Sequence, residues 1–283
     1  MTTGTTLPRT RDEDHAALFA ACEPGVALCT IVGIDGSFSR RLGAQLAVRA
    51  DGSTVGSLSD GCLERQLARD LRSLTNPEVR RYGAGSDTID FRLPCGGGLD
   101  ILLDPAPDRG VCRRAAGALA NRLPARLGLP EPSPRPWRTY QPSLALRIFG
   151  EGPEIRALSG LARHTGIAVE AVATDALSLG RTSGLPPADA WTAVVLLFHD
   201  HEWELALLEE ALAGEAFYIG AQGGENARIA RTTGLLARGV PEEAIARIRS
   251  PIGLVPSCKS PDTLALSALA EIAAEYERLR DAA

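Results

Sequence analysis

From residue 144 onward the chain alternates apolar, strand-like runs with helical stretches, and this rhythm limits the available folds more than any other feature. LALRIFG (144–150) leads into a helix ending near His164, and IAVEAVATD (167–175) is the next strand. AVVLLFHD (193–200) is an almost unbroken apolar run, as expected of a strand buried on both faces. A helix over about 202–213, a short strand AFYIG (216–220), helices near 225–238 and 241–248, and a last helix over 261–280 complete the pattern. Parallel strands need long crossovers, which helices supply, so the alternation predicts a parallel, doubly wound sheet.

The first half reads differently. A short helix over 13–22 stops at Pro24-Gly25, and β-rich runs follow at 26–34, 44–49 and 54–58. Asp51-Gly52 between the last two is a strong hairpin signal. Leu63, Leu67, Leu71 and Leu74 form one apolar stripe, which predicts a helix over 62–74. Strands are expected at 78–82 and 99–103, giving an α+β unit. Between the halves, 124–143 holds six prolines in 20 residues. Proline fixes φ and removes a donor, so this segment is expected to be an extended linker rather than helix or strand. The expected organisation is therefore α/β: an N-terminal α+β domain (1–123), the linker (124–143) and a C-terminal Rossmann-like parallel-sheet domain (144–283).

Composition narrows the function classes. At 283 residues there is length for two domains, and 45% hydrophobic with 23% charged residues is ordinary globular usage. Thirty Lys plus Arg against 35 Asp plus Glu leave a net charge of −5, which argues against a nucleic-acid binder. No apolar run is long enough to span a membrane and the N-terminus has no apolar signal core, so a cytoplasmic protein is expected. Cys22, Cys29, Cys62, Cys95, Cys112 and Cys258 form no C-x-x-C pair, so free thiols are expected rather than a disulfide framework.

Five segments are candidates for chemistry. In Ser59-Asp60-Gly61-Cys62-Leu63-Glu64, Gly61 suits an N-cap and Glu64 an N3 cap. That puts Cys62 in a first helical turn, where orphan amides and the helix dipole favour a thiolate able to act as nucleophile or soft ligand. The alternative is a small buried apolar residue beside a structural cap. Cys95-Gly96-Gly97-Gly98 suits either a close approach to a ligand or a flexible turn. Gly150-Glu151-Gly152-Pro153-Glu154-Ile155 follows a strand and opens a helix, with Asp175 where a ribose-binding acid would sit. Yet Ile155 replaces the third glycine, and two glutamates stand where a pyrophosphate would lie. His199-Asp200-His201 ends a buried strand, with both histidines on one face as an acid–base pair, metal ligands or structural histidines; two histidines alone do not specify a metal site, and none is assigned. Gly220-Ala221-Gln222-Gly223-Gly224 is a glycine-rich strand-to-helix loop, a phosphate cradle or a tight connection.

Taken together, GSFSRRLGAQLAV (36–48), GSLSDGCLE (56–64), CGGGLDILL (95–103), VVLLFHDHEWE (194–204), YIGAQGG (218–224), GVPEEAIARIRSPIGL (239–254) and KSPDTLALSALAEI (259–272) resemble, in order, the XdhC/CoxI family of accessory proteins for xanthine dehydrogenase and related molybdenum hydroxylases. The chain differs at Asp60, where the family has glycine, at Pro153, and at Glu225-Asn226, where basic residues are common. The resemblance implies binding of the molybdenum cofactor, molybdopterin, while a cysteine desulfurase supplies a terminal sulfur, and delivery to a hydroxylase client. On this reading Cys62 and Glu64 carry the chemistry, while Arg40, Cys95, Gly96, Gly97, Gly150, Gly152, Asp175, His199, Gly220 and Gly223 contact the cofactor. A homodimer is the default assembly. The competing reading is an NAD(P)-dependent oxidoreductase, with Cys62 or the two histidines acting on a small molecule between the domains.

Overall fold

The computed structural model describes residues 12–59, 61–86 and 96–281. The chain divides into two compact units, Met1–Pro142 and Ser143–Ala283.

The first unit is built on a five-stranded antiparallel sheet. Its strands are β1 (Ala27–Asp35), β2 (Gln45–Val48), β3 (Thr54–Gly56), β4 (Glu78–Gly83) and β5 (Gly98–Asp104), in the order β3-β2-β1-β5-β4. The β2–β3 hairpin turns at Asp51-Gly52, where Gly52 takes φ +87° and Asp51 Oδ1 accepts from Ser53 N at 2.8 Å. Side chains alternate across β1. Ala27, Cys29 and Ile31 face a core shared with Leu63 and Leu67 of α2 (Cys62–Asp70). Leu28 faces the other core, against α1 (Glu13–Ala21) and α3 (Arg109–Ala120).

The segment 124–143 is not the extended linker its prolines suggest. It carries an antiparallel hairpin, β6 (Ala125–Gly128) with β7 (Trp137–Tyr140). Four of the prolines fall in the 129–136 turn, where a missing N–H removes no ladder bond. Ala125, Leu127 and Tyr140 are buried against α1 and α3. The hairpin belongs to the first unit, and α3 was not legible beforehand.

The second unit is a parallel sheet with the order β12-β11-β10-β8-β9, formed by β8 (Ala145–Gly150), β9 (Ala168–Val172), β10 (Thr192–Leu197), β11 (Tyr218–Ala221) and the two-residue β12 (Ile248–Arg249). Helices α4 (Gly152–His164) and α8 (Pro261–Asp281) cover one face; α5 (Glu204–Ala213), α6 (Glu225–Ala237) and α7 (Glu242–Ile245) cover the other. All six residues of β10 are buried, as its apolar run requires. The direction of winding reverses between β8 and β10. In open parallel sheets the crevice beyond the strand ends at such a point is where ligands bind. Strand β9 ends at Val172, so Asp175 lies in a short 3₁₀ turn beyond it and is exposed, not at the strand end.

Candidate functional site

In the first unit, chemistry centres on the start of α2. Gly61 holds φ +94°, a left-handed turn that glycine tolerates, and Cys62 is the first helical residue. Glu64, 7% exposed, reaches back over the turn. Its Oε1 accepts from Leu58 N at 2.9 Å and Ser59 N at 2.6 Å, and its Oε2 from Gly61 N at 2.8 Å. Burial pushes the Glu64 carboxyl up, but these backbone donors outweigh it and hold its pKa below the ordinary range. The carboxylate is thus engaged by the backbone and sets the path of the loop.

Cys62 is exposed, and Arg65 NH2 donates to its Sγ at 3.1 Å. The other described cysteines differ. Cys22, Cys29 and Cys112 are buried, and burial raises all three thiols, Cys112 to about 11. Cys258 is half-buried and donates to Val255 O at 3.3 Å. The alternative of a buried Cys62 therefore fails on accessibility.

Loops carrying two further groups of candidates meet at one end of this sheet. Gly98 pairs with Asp35 across β5 and β1, and a Cβ on Gly36 would lie 3.6 Å from Gly97 Cα. Gly98 itself has no room for a side chain, since a Cβ would fall 2.4 Å from the Arg81 guanidinium. Phe38, Leu58, Leu63 and Leu99, which flank the 36–40 loop, the Cys62 turn and the glycines, share one apolar cluster. Gly96 at φ +71° has open space around it. Arg40 pairs with Glu13 at 2.6 Å, both partly exposed. Cys95 and Asp60 lie outside the described residues.

In the second unit, the crevice between β8 and β10 gathers Gly150, Gly152, Glu151, Glu154 and His199. A Cβ on Gly150 would sit 2.4 Å from Leu197 O, so only glycine lets β8 approach β10 here. Gly152 takes φ +78° at the first position of α4. Glu151 accepts from Thr174 Oγ1 at 3.4 Å. Glu154 Oε2 is buried without a hydrogen-bond partner; the exposed His199 approaches it at 3.6 Å, an ion-pair distance beyond hydrogen-bond reach.

Next to it, His201 Nδ1 faces Glu204 Oε2 at 3.2 Å. Glu204 is fully buried, and Arg231 Nε donates to its Oε2 at 2.9 Å. Arg231 also donates to Ser250 Oγ at 2.7 Å and to Gln222 O at 2.8 Å, tying the start of α5 to the ends of β11 and β12. Burial raises the Glu204 carboxyl against the pull of Arg231 and His201. Glu204 and Arg231 were not singled out from the sequence; the only available signal was a glutamate one helical turn after His201. Gly223, at φ +122°, packs beside the His201 ring, 3.3 Å from a would-be Cβ to Cε1. Gly220 is different from the loop glycine expected. It lies inside β11, where a Cβ would strike Tyr218 and Ile252 at 2.7 and 2.8 Å, so it serves packing. Among the described residues no group of three or more His, Cys, Asp or Glu is arranged to hold a metal ion.

Comparison with known proteins bears on this arrangement. The XdhC Rossmann domain matches residues 146–272, and the XdhC and CoxI family matches residues 21–83. The molybdenum cofactor insertion chaperone PaoD of Escherichia coli is 34% identical over 269 residues, spanning 88% of this chain and 83% of PaoD. The chain belongs to the XdhC/CoxI family. The uncharacterized Escherichia coli protein YqeB is 27% identical over 260 residues, which cover 87% of this chain and 42% of YqeB. A solved Bacillus halodurans protein described as a xanthine dehydrogenase superposes with TM-score 0.70 at 21% identity, covering 94% of this chain and 96% of its own. At that identity it attests the fold.

Two XdhC/CoxI segments have a structural explanation. The P-I-G-L loop is pinned to α8: Gly253 N donates to Glu271 Oε2 and Val255 N to Ser267 Oγ, each at 2.7 Å. The serine and glutamate of the KSPDTLALSALAEI segment are those two acceptors. Among the described residues no helix is long and apolar enough to cross a membrane.

Proposed function

We propose that this XdhC/CoxI protein binds the molybdenum cofactor, holds it during sulfuration and delivers it to a molybdenum hydroxylase of the xanthine dehydrogenase type. The observation that carries the reading is Cys62: an exposed thiol on a helix's first residue, held over a loop that Glu64 fixes through three backbone amides. A thiol so placed suits a soft metal or a transferable sulfur. Glu64 acts as a positioning residue, since its oxygens are occupied by the backbone. PaoD, named as a cofactor insertion chaperone, supports the reading at 34% identity. Arg40, Gly96 and Gly97 belong to the ligand-facing region of the first unit, and Cys95, outside the described residues, is proposed as a further ligand contact on the resemblance alone; Gly150, Gly152, Asp175, His199 and Gly223 frame that of the second. The partners are the hydroxylase and a cysteine desulfurase, the compartment is the cytoplasm, and the protein is a homodimer.

NAD(P) is the competing ligand. Glu151 and Glu154 put carboxylates where a dinucleotide places its pyrophosphate, so nicotinamide binding is expected to be weak. Mass spectrometry and absorbance of the protein, after incubation with the molybdenum cofactor and separately with NAD(P)H, tests the choice. Stable pterin-containing complexes are expected. Micromolar binding of NAD(P)H without cofactor retention would favour the oxidoreductase.

A further inference from the structure

Side-chain oxygens that are buried and lack a hydrogen-bond donor are rare in folded proteins, because each one costs its full desolvation. Three of them lie at the strand ends of the second unit: Glu154 Oε2, Glu204 Oε1 and Gln222 Oε1. They come from three different elements, α4, α5 and the loop after β11. Glu204 is entirely buried, and its other oxygen is taken up by Arg231 and faced by His201, so Oε1 is left over. Glu154 lies at the β8–β10 reversal, one turn into α4, between the glycines at 150 and 152 and His199. Gln222 is held by its own backbone, N to Leu196 O at 2.9 Å and O to Arg231, which leaves its side-chain amide oriented by the strand end.

These groups are acceptors, and two are carboxylates. A phosphate is poorly matched to them, because it brings negative charge and further acceptors. The matching chemistry is a flat heterocycle that offers adjacent N–H donors to a carboxylate in bidentate fashion. We propose that this sheet edge recognises the 2-amino-4-oxopyrimidine edge of a pterin, with Glu154 accepting from the ring N3–H and the 2-amino group. The 2-amino-4-oxo pattern places those two donors side by side, at the spacing of a carboxylate's oxygens. Glu204 and Gln222 are the further acceptors of this edge, and Arg231, which bonds Glu204 Oε2 and Gln222 O, keeps both in place. This deepens the proposed cofactor-binding role by assigning the pterin end, rather than the phosphate end, to the second unit.

The test uses the full chain and two small probes, pterin and lumazine, which differ in carrying an amino group or an oxygen at C2. Fluorescence titration should show saturable pterin binding, with lumazine at least about tenfold weaker, since a buried acceptor then meets an acceptor. Glu154→Gln should weaken pterin binding at least about tenfold while leaving the melting temperature unchanged, and Glu204→Gln should weaken it less. Inorganic phosphate at millimolar concentration should not displace the pterin. Absence of saturable pterin binding, equal affinity for the two probes, insensitivity to Glu154→Gln, or displacement by phosphate would each overturn the assignment. The probes carry neither metal nor dithiolene, so their binding is independent of Cys62. A chain that discriminates the probes but does not retain the molybdenum cofactor keeps this assignment and loses the proposed function; the reverse result does the opposite.

Discussion

At Glu64 a single carboxylate gathers three backbone donors, and its depressed pKa makes that gathering visible as a pH dependence. Its stabilisation is present above the ordinary carboxylate pKa of about 4.3 and is lost as pH falls through the lower folded-state value. Glu64→Gln is expected to cost about 2 kcal/mol at pH 7, in the range of hydrogen bonds to charged groups. The gap to the unsubstituted protein should narrow near pH 3, which urea unfolding at the two pH values would register. A constant gap would mean that the carboxylate's charge is not what holds the loop. The cap was legible in the sequence because Gly61 and Glu64 have capping spacing. The exposure of Cys62 was not, since a first-turn cysteine is as compatible with a core as with solvent. The Glu204–Arg231 partnership is not legible in the sequence, because it spans 27 residues and leaves no local pattern.

Elements announced by periodicity are present within four residues of their expected ends, including the buried run that became β10 and the leucine stripe that became α2. The exceptions have physical causes. In 124–143 the prolines punctuate a turn, while the strand residues on either side, Ala125, Leu127 and Tyr140, are too few to read as β pattern by themselves. Their burial has a measurable consequence. Tyr140, 1% exposed, donates its hydroxyl to Gln45 Oε1 across 95 residues of sequence. Tyr140→Phe should therefore cost about 1–2 kcal/mol by leaving a buried amide oxygen unpaired, lowering the melting temperature by several degrees. No change would show that the hairpin is a loose attachment. In β8, Gly150→Ala must push β8 from β10, because the new Cβ would meet Leu197 O at 2.4 Å. A loss of about 2–3 kcal/mol is expected in denaturant unfolding, and a neutral result would contradict the close approach at the strand crossing.

Taken whole, the chain is two compact units of opposite sheet character, an antiparallel one carrying the exposed thiol and a parallel one carrying the acceptor-lined strand ends. The parallel unit was legible from strand–helix alternation alone. Its ligand was not, because such a sheet hosts many functions and the G-x-G element at 150–152 is shared by several. What separates the readings is charge at that loop together with the thiol of the other unit. The net charge of −5 decides nothing here; the placement of a few groups does. Cofactor handling is proposed to depend on Cys62 above any other group, and Cys62→Ser tests this with almost no change in volume. The decisive measurement is molybdenum and pterin content retained through gel filtration by the unsubstituted and Cys62→Ser proteins after equal loading, with melting temperatures recorded alongside. Near-complete loss of retention in Cys62→Ser at an unchanged melting temperature is expected; equal retention by the two proteins would contradict the proposed role of the thiol.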